Sequence, residues 1–223
     1  MTQPDITSPS GTAIRHHLNE ATLMGYAAGT LPEAFNLIVA THLSLCDRCR
    51  ADVQAYDAVG GALLEDESAA LADESLAQTL ARLDADPKPA GRKKTATGDF
   101  PAPLQDYVGG DLDAVRWRPL GMGVKQAILP TSKAATARLF LIPAGAAMPD
   151  HGHNGTEMTL VLKGAFLDGN DYFARGDIEI ADIDVQHIPI ADVHEDCICL
   201  AVTDAPLRFT GILPSILQKF FRI

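Results

Sequence analysis

The sequence predicts an α+β multidomain chain, in which a small helical domain held by a metal precedes an antiparallel β-sandwich or barrel. Three observations carry that expectation. His42, Cys46 and Cys49 stand in the spacing His-x3-Cys-x2-Cys within an apolar, helix-like first third. A stretch rich in Pro, Gly and Lys within Pro87–Pro103 breaks every periodicity and reads as a linker. Beyond it, short apolar or alternating runs recur between turns carrying Gly, Pro and Asp.

Taken in order, Ile14 to Gly29 has apolar residues at mostly three- and four-residue steps, with Asn19 a candidate cap, and predicts a helix ending near Gly29. Thr30–Glu33 makes a tight turn, and Pro32 suits the first turn of a second helix through Phe35, Leu37, Ile38 and Val39. A third helix is expected from Asp47 through Val53 and Tyr56 to about Leu64, with Gly60 and Gly61 weakening its end. A fourth, from about Asp73 to Asp84, places Leu76, Leu80 and Leu83 on one amphipathic stripe. Four short helices make a marginal core that a structural metal would help fix. The fourth helix is expected to pack into that core, the alternative being a partner's groove.

On a helix, His42 and Cys46 share a face and Cys49 follows one turn later. Such donors converging on one side suit tetrahedral zinc, with one further ligand from elsewhere. The run Arg15-His16-His17 offers it, through either histidine. The competing readings are two buried, inert cysteines beside a surface histidine, or a redox Cys-x-x-Cys. The redox motif normally opens a helix after a strand, whereas this one follows a helix-like stretch.

At 223 residues the chain suffices for one large domain or two small ones. No apolar run approaches the length that spans a bilayer. The first ten residues lack the basic start and apolar core of a signal peptide, and Met1–Ala13 reads as a disordered tail. Four cysteines in a chain this size make no disulfide framework, so the expected location is the cytoplasm. Net charge is −11, unevenly spread: Met1–Asp86 carries 13 acidic and 4 basic residues, and Pro87–Pro103 carries 1 and 4. A helical unit this acidic is unsuited to gripping phosphates, which argues against direct nucleic-acid binding and suits a basic protein partner.

The β half carries strand-like runs at Val115–Arg118, Val124–Leu129, Ala137–Ile142, Met158–Leu162, Ile178–Ile180, Cys197–Val202 and Leu207–Phe209. A short helix is expected over Pro214–Ile223. His151 and His153 are two apart, so on a strand they face the same way, and Glu157 returns a carboxylate to that face after a turn. With His187 downstream, three imidazoles and one carboxylate form a divalent metal site with an open position. The competing account is a set of satisfied polar residues on a half-exposed sheet. Cys197 and Cys199 share a strand face and read as small buried residues, the alternative being a redox pair beside the metal. Asp177 and Glu179 read as outward-facing strand charges, the alternative being support of a metal ligand from behind, and His194 as solvated.

The pattern Gly-x5-His-x-His-x3-Glu-x6-Gly runs in full from Gly145 to Gly164 and looks like the first signature of the cupin family. The second signature is partly present in Gly176 and His187, with Ala191 standing where asparagine is usual. Together with His-x3-Cys-x2-Cys, from about Ile14 onward, the chain resembles the ChrR-type family of zinc-binding anti-sigma factors with a C-terminal cupin-like domain. Tyr26-Ala27-Ala28-Gly29-Thr30-Leu31, Val39–Cys46 and Gly176–Asp182 extend the match. The resemblance implies a structural zinc on His17, His42, Cys46 and Cys49, with zinc or another divalent metal on His151, His153, Glu157 and His187. It implies domains at 14–86 and 104–223 with the linker at 87–103. It further implies no enzymatic role: the helical domain would sequester an extracytoplasmic-function-type sigma factor, and the cupin would sense singlet oxygen or organic hydroperoxide. The competing function is a cupin metalloenzyme, dioxygenase-like, with an accessory zinc domain.

Overall fold

The computed structural model of the chain describes residues 13–65, 67–70, 72–84 and 98–209. The N-terminal tail to residue 12, most of the expected linker and the expected helix over Pro214–Ile223 lie outside the described residues.

Four helices open the described chain: α1 (Glu20–Ala27), α2 (Glu33–Leu43), α3 (Asp47–Glu65) and α4 (Ser75–Asp84). Asn19 caps α1 as its side chain predicts, accepting from Thr22 N at 2.8 Å. The helix begins there rather than at Ile14, so residues 14–18 run as an extended lead-in. Pro32 precedes α2, where its missing N–H costs nothing. A fifth helix, α5 (Ala102–Val108), was not legible in the sequence. It falls where the linker was expected to end, and Phe100 just before it is buried.

The β half places β1 (Arg118–Gly121), β2 (Val124–Ile128), β3 (Thr136–Ile142), β5 (Glu157–Lys163), β8 (Ile178–Ala181) and β11 (Cys197–Thr203) in one antiparallel sheet. Its strand order is β1-β2-β3-β11-β5-β8. Two three-stranded sheets accompany it. One is β10-β6-β7, from β6 (Ala165–Asp168), β7 (Asp171–Ala174) and β10 (Ile190–Ala191). The other is β12-β4-β9, from β4 (His151–Gly152), β9 (Gln186–His187) and β12 (Arg208–Phe209).

The centre of the large sheet is buried on both sides at β11, which explains why that strand reads as an unbroken apolar run. Along β11, Ile198, Leu200 and Val202 join the apolar cluster that contains the helices. The alternate residues Cys197, Cys199 and Ala201 join Phe166 and Phe173 of the small sheet on the other side. Helix α2 is apolar nearly all round because it is enclosed: it touches α1, α3 and α5, and also β3, β5 and β11. Its first residue is pinned as well, since Glu33 accepts from Tyr107 Oη at 2.8 Å and from Ser132 N at 2.7 Å.

α4 departs from expectation. Leu76, Leu80 and Leu83 are exposed at 70%, 51% and 74% rather than packed into the helical core. Amphipathic spacing specifies that a helix has an apolar face but not which surface covers it.

Because Ile38 is fully buried in the cluster shared by helices and sheet, Ile38→Ala is expected to cost about 2–5 kcal/mol. Helical circular dichroism and the fluorescence of Trp117, which packs against the same cluster, should then shift together in denaturant. A Trp117 transition that keeps its wild-type midpoint would show that α2 does not stabilise the sheet.

Candidate metal centres

The first centre forms where the lead-in to α1 meets the junction of α2 and α3. His42 lies in the last turn of α2, Cys46 just before α3 and Cys49 in the first turn of α3, and all three are buried. His17 arrives from the lead-in. One donor atom from each of His17, His42, Cys46 and Cys49 lies within 4.8 Å of the others. His16, the other candidate, points away and places its ring 4.2 Å from that of Phe173.

Between ligands the spacings are 3.3 Å for His42 Nε2–Cys49 Sγ, 3.3 Å for Cys46 Sγ–His17 Nδ1 and 3.7 Å for Cys49 Sγ–His17 Nδ1. Metal–nitrogen bonds of about 2.0–2.1 Å and metal–sulfur bonds of about 2.3 Å at a tetrahedral angle put nitrogen and sulfur roughly 3.5 Å apart. The donor set therefore fits a tetrahedral ion. The tautomer fits too: His42 Nδ1 donates to the Gly176 carbonyl at 3.0 Å, which leaves the lone pair on Nε2, facing Cys49. Burial lowers His42 to about 4, and burial with the nearby Arg48 charge lowers His17, so both imidazoles are neutral at pH 7. Burial raises the Cys49 thiol to about 11 in the metal-free chain.

The second centre lies between the large sheet and the small ones. β4 pairs with β9 so that His151 stands opposite His187, and His153 follows one residue beyond β4. The His187 Nε2 atom is 3.1 Å from His151 Nε2 and 3.2 Å from His153 Nε2. Three Nε2 atoms this close are spaced as ligands of one ion, for which tetrahedral geometry gives roughly 3.3 Å. Two rings are oriented from behind: His151 Nδ1 donates to Pro149 O and His187 Nδ1 to Asp168 Oδ2, each at 2.8 Å. His153 Nδ1 is buried without a hydrogen bond, its nearest carboxylate being Glu157 Oε2 at 3.8 Å.

Glu157 opens β5, but the structure does not bring its carboxylate into the donor cluster of the three histidines; its Oε1 accepts from Thr159 Oγ1 at 3.3 Å. Burial, with the nearby Glu179 charge, pushes Glu157 up to about 7, although the charge of His187 opposes them. Burial lowers His151, and burial with the neighbouring imidazoles lowers His153 to about 4. Burial also pulls on His187, but Glu179 and Asp168 outweigh it and raise the ring to about 9.

Two carboxylates correct the sequence reading. Glu179 is not an outward charge: it sits 3.6 Å from His187 Nδ1. Asp177 is only 2% exposed and faces the N-terminal segment. Asp168 went unnoticed in the sequence, and only its place at the end of a strand turning back toward the histidines could have flagged it. Cys197 and Cys199 are both buried, with sulfurs 3.4 Å apart, and Cys199 is raised well above an ordinary thiol by its bond to Cys197 and by burial. The small-buried-residue account describes them. His194 is exposed, as expected.

Residues 105–206 match the family described as the ChrR cupin-like domain. Over 211 residues the chain is 58% identical to the anti-sigma-E factor ChrR of Cereibacter sphaeroides strain ATCC 17023, a match covering 94% of this chain and 99% of that protein. The chain belongs to the ChrR family. A crystal structure of Rhodobacter sphaeroides SigE in complex with the anti-sigma ChrR shares this family fold, with a TM-score of 0.78 and 58% identity. That likeness covers 86% of this chain and 100% of the solved one. Among the described residues of this ChrR-family chain, no helix is long and apolar enough to cross a membrane.

Metal binding at the first centre should release protons, because a thiol raised to about 11 must become a thiolate while both imidazoles are already neutral. Zinc affinity from chelator competition should therefore rise about tenfold or more per unit between pH 6 and pH 8. An affinity flat across that range would remove Cys49 from the ligand set.

Proposed function

We propose that this chain is an anti-sigma factor. Its zinc-bound helices sequester an extracytoplasmic-function-type sigma factor, and singlet oxygen or an organic hydroperoxide acting at the cupin-like centre releases it. The observation that carries the binding half is the bare stripe on α4. Leu76, Leu80 and Leu83 are spaced i, i+4, i+7, the pattern that lays a helix into an apolar groove. Val59, Leu63 and Leu64 near the end of α3 are exposed as well. Apolar side chains left in water in such number mark a protein interface. The surrounding helices are acidic, which favours a partner with a basic surface. A relative 58% identical has been crystallised with SigE, which supports a sigma factor as that partner. Such a role places the chain in the cytoplasm with RNA polymerase.

Zinc is assigned to His17, His42, Cys46 and Cys49 because two thiolates and two imidazoles at tetrahedral spacing are a typical structural set for it. Its work there is to tie the lead-in and the start of α3 to the end of α2. His151, His153, His187 and Glu157 are assigned to the second ion, zinc or another divalent metal. When bound, that ion would supply a Lewis-acidic point among buried imidazoles. The chain's own part is to orient the rings, through Pro149 O and Asp168, and to set charge nearby through Glu179.

The test uses the full chain and a purified sigma factor of the extracytoplasmic-function type. Leu80→Glu should weaken the complex by tenfold or more while helical circular dichroism stays unchanged. His151→Ala and Glu157→Ala should bind the sigma factor normally, yet their complexes should persist under a singlet-oxygen source that dissociates the wild-type complex. Undiminished binding by Leu80→Glu would remove α4 from the interface. Loss of binding by the cupin variants would refute the division of labour.

A further inference from the structure

The first metal centre is not completed by the helices that supply its ligands. The turn before β8, Arg175-Gly176-Asp177-Ile178, reaches across from the β half and holds two of the four ligands from behind. Asp177 Oδ1 accepts the backbone N–H groups of Arg15 at 2.6 Å and His16 at 2.9 Å, immediately before His17. Its Oδ2 accepts Ala174 N at 2.9 Å, which fixes the carboxylate within its own turn. Ile178 N then donates to His16 O at 3.3 Å, so the lead-in is bonded to the turn on both sides of His16. The adjacent Gly176 carbonyl accepts from His42 Nδ1.

Gly176 suits this position for two reasons. Its φ is +91°, and a Cβ there would come 2.7 Å from Ile14 Cδ1, inside contact distance. The close approach of the two halves thus depends on a residue without a side chain.

We propose that Asp177 and the Gly176 carbonyl are positioning groups of the His17/His42/Cys46/Cys49 centre, so that metal affinity in the helices is set in part by a loop of the cupin-like half. The inference rests on that centre holding a metal. Asp177 fixes the path of the lead-in and hence where His17 arrives. Gly176 selects the His42 tautomer that presents Nε2. Support of ligands from behind is typically worth 10–100-fold in metal affinity.

The test titrates the full chain with cobalt(II), whose thiolate charge-transfer absorption reports the Cys46/Cys49 centre and not the all-histidine one. Zinc displacement then gives relative affinities. Asp177→Asn should weaken binding roughly 10–100-fold and change the cobalt band pattern as His17 loses its place. Far-UV circular dichroism and Trp117 emission should not change. Asp196→Asn, which alters a comparable cap on Ala144 N in a loop remote from the centre, should bind as wild type does. Wild-type affinity and bands in Asp177→Asn would overturn the proposal, as would an equal loss in Asp196→Asn. If Asp177→Asn does not fold, hydrogen exchange on the wild-type chain decides. Stripping the metal should raise exchange at Arg15, His16 and Ile178, and unchanged protection at Ile178 would overturn the proposal. A wild-type chain without any thiolate band would overturn both this inference and the metal assignment beneath it.

Discussion

His42 is fully buried and both of its ring nitrogens are committed, one to the Gly176 carbonyl and one toward Cys49. That arrangement constrains the rest of the molecule. The ring sits in the last turn of α2, so fixing it fixes the end of the helix against the turn before β8. The other end is held by Glu33, which takes hydrogen bonds from Tyr107 and Ser132. With both ends tied to the β half, α2 lies flat on the large sheet and buries Ile38 and Val39 in a core that also contains Leu160 and Leu200. A buried imidazole with an unmet nitrogen would cost several kcal/mol. The position therefore demands both an acceptor on one side and thiols or a metal on the other.

β8 is where the two centres come nearest in sequence. Asp177 serves the lead-in to His17, and Glu179, two residues later, stands beside His187. Between them Ile178 pairs with Leu160 and faces the helices, while Glu179 pairs with Thr159 and faces the interior. The alternation of one short edge strand thus touches both sides of the sheet. A shift of His187 that moved Glu179 would reach Asp177 two residues away along the same backbone, without crossing residues 85–97.

The candidate ligands were legible in the sequence because ligand chemistry leaves local marks. His-x3-Cys-x2-Cys and His-x-His-x3-Glu are spacings within single segments, and the histidines and cysteines they name do converge. The groups that support those ligands were not legible, since they act over long separations and through backbone atoms. Asp177 works on N–H groups more than 160 residues away, and Gly176 contributes only a carbonyl. Alternation likewise misled for Asp177 and Glu179, which sit in strand-like sequence but have buried partners. The strands β6 and β7 were missed because Ala165–Asp168 and Asp171–Ala174 are short and carry no long apolar run. Helix placement came through well for α2 and α3, which run over Glu33–Leu43 and Asp47–Glu65, close to the bounds expected from Pro32 and from the start at Asp47.

α4 shows the limit of that agreement. Its leucine stripe is the most regular amphipathic signal in the chain, and it is also the one the fold leaves uncovered. The helical core is already complete without it: α2 is enclosed on every side, and α3 buries Cys49 and Val53 while its later turns run out into water. Each exposed leucine of this kind invites association. Their spacing at i, i+4, i+7 is the arrangement expected of a helix whose groove belongs to another molecule. The His17/His42/Cys46/Cys49 cluster stands at the junction of the lead-in, α2 and α3, at the end of α3 opposite its exposed turns.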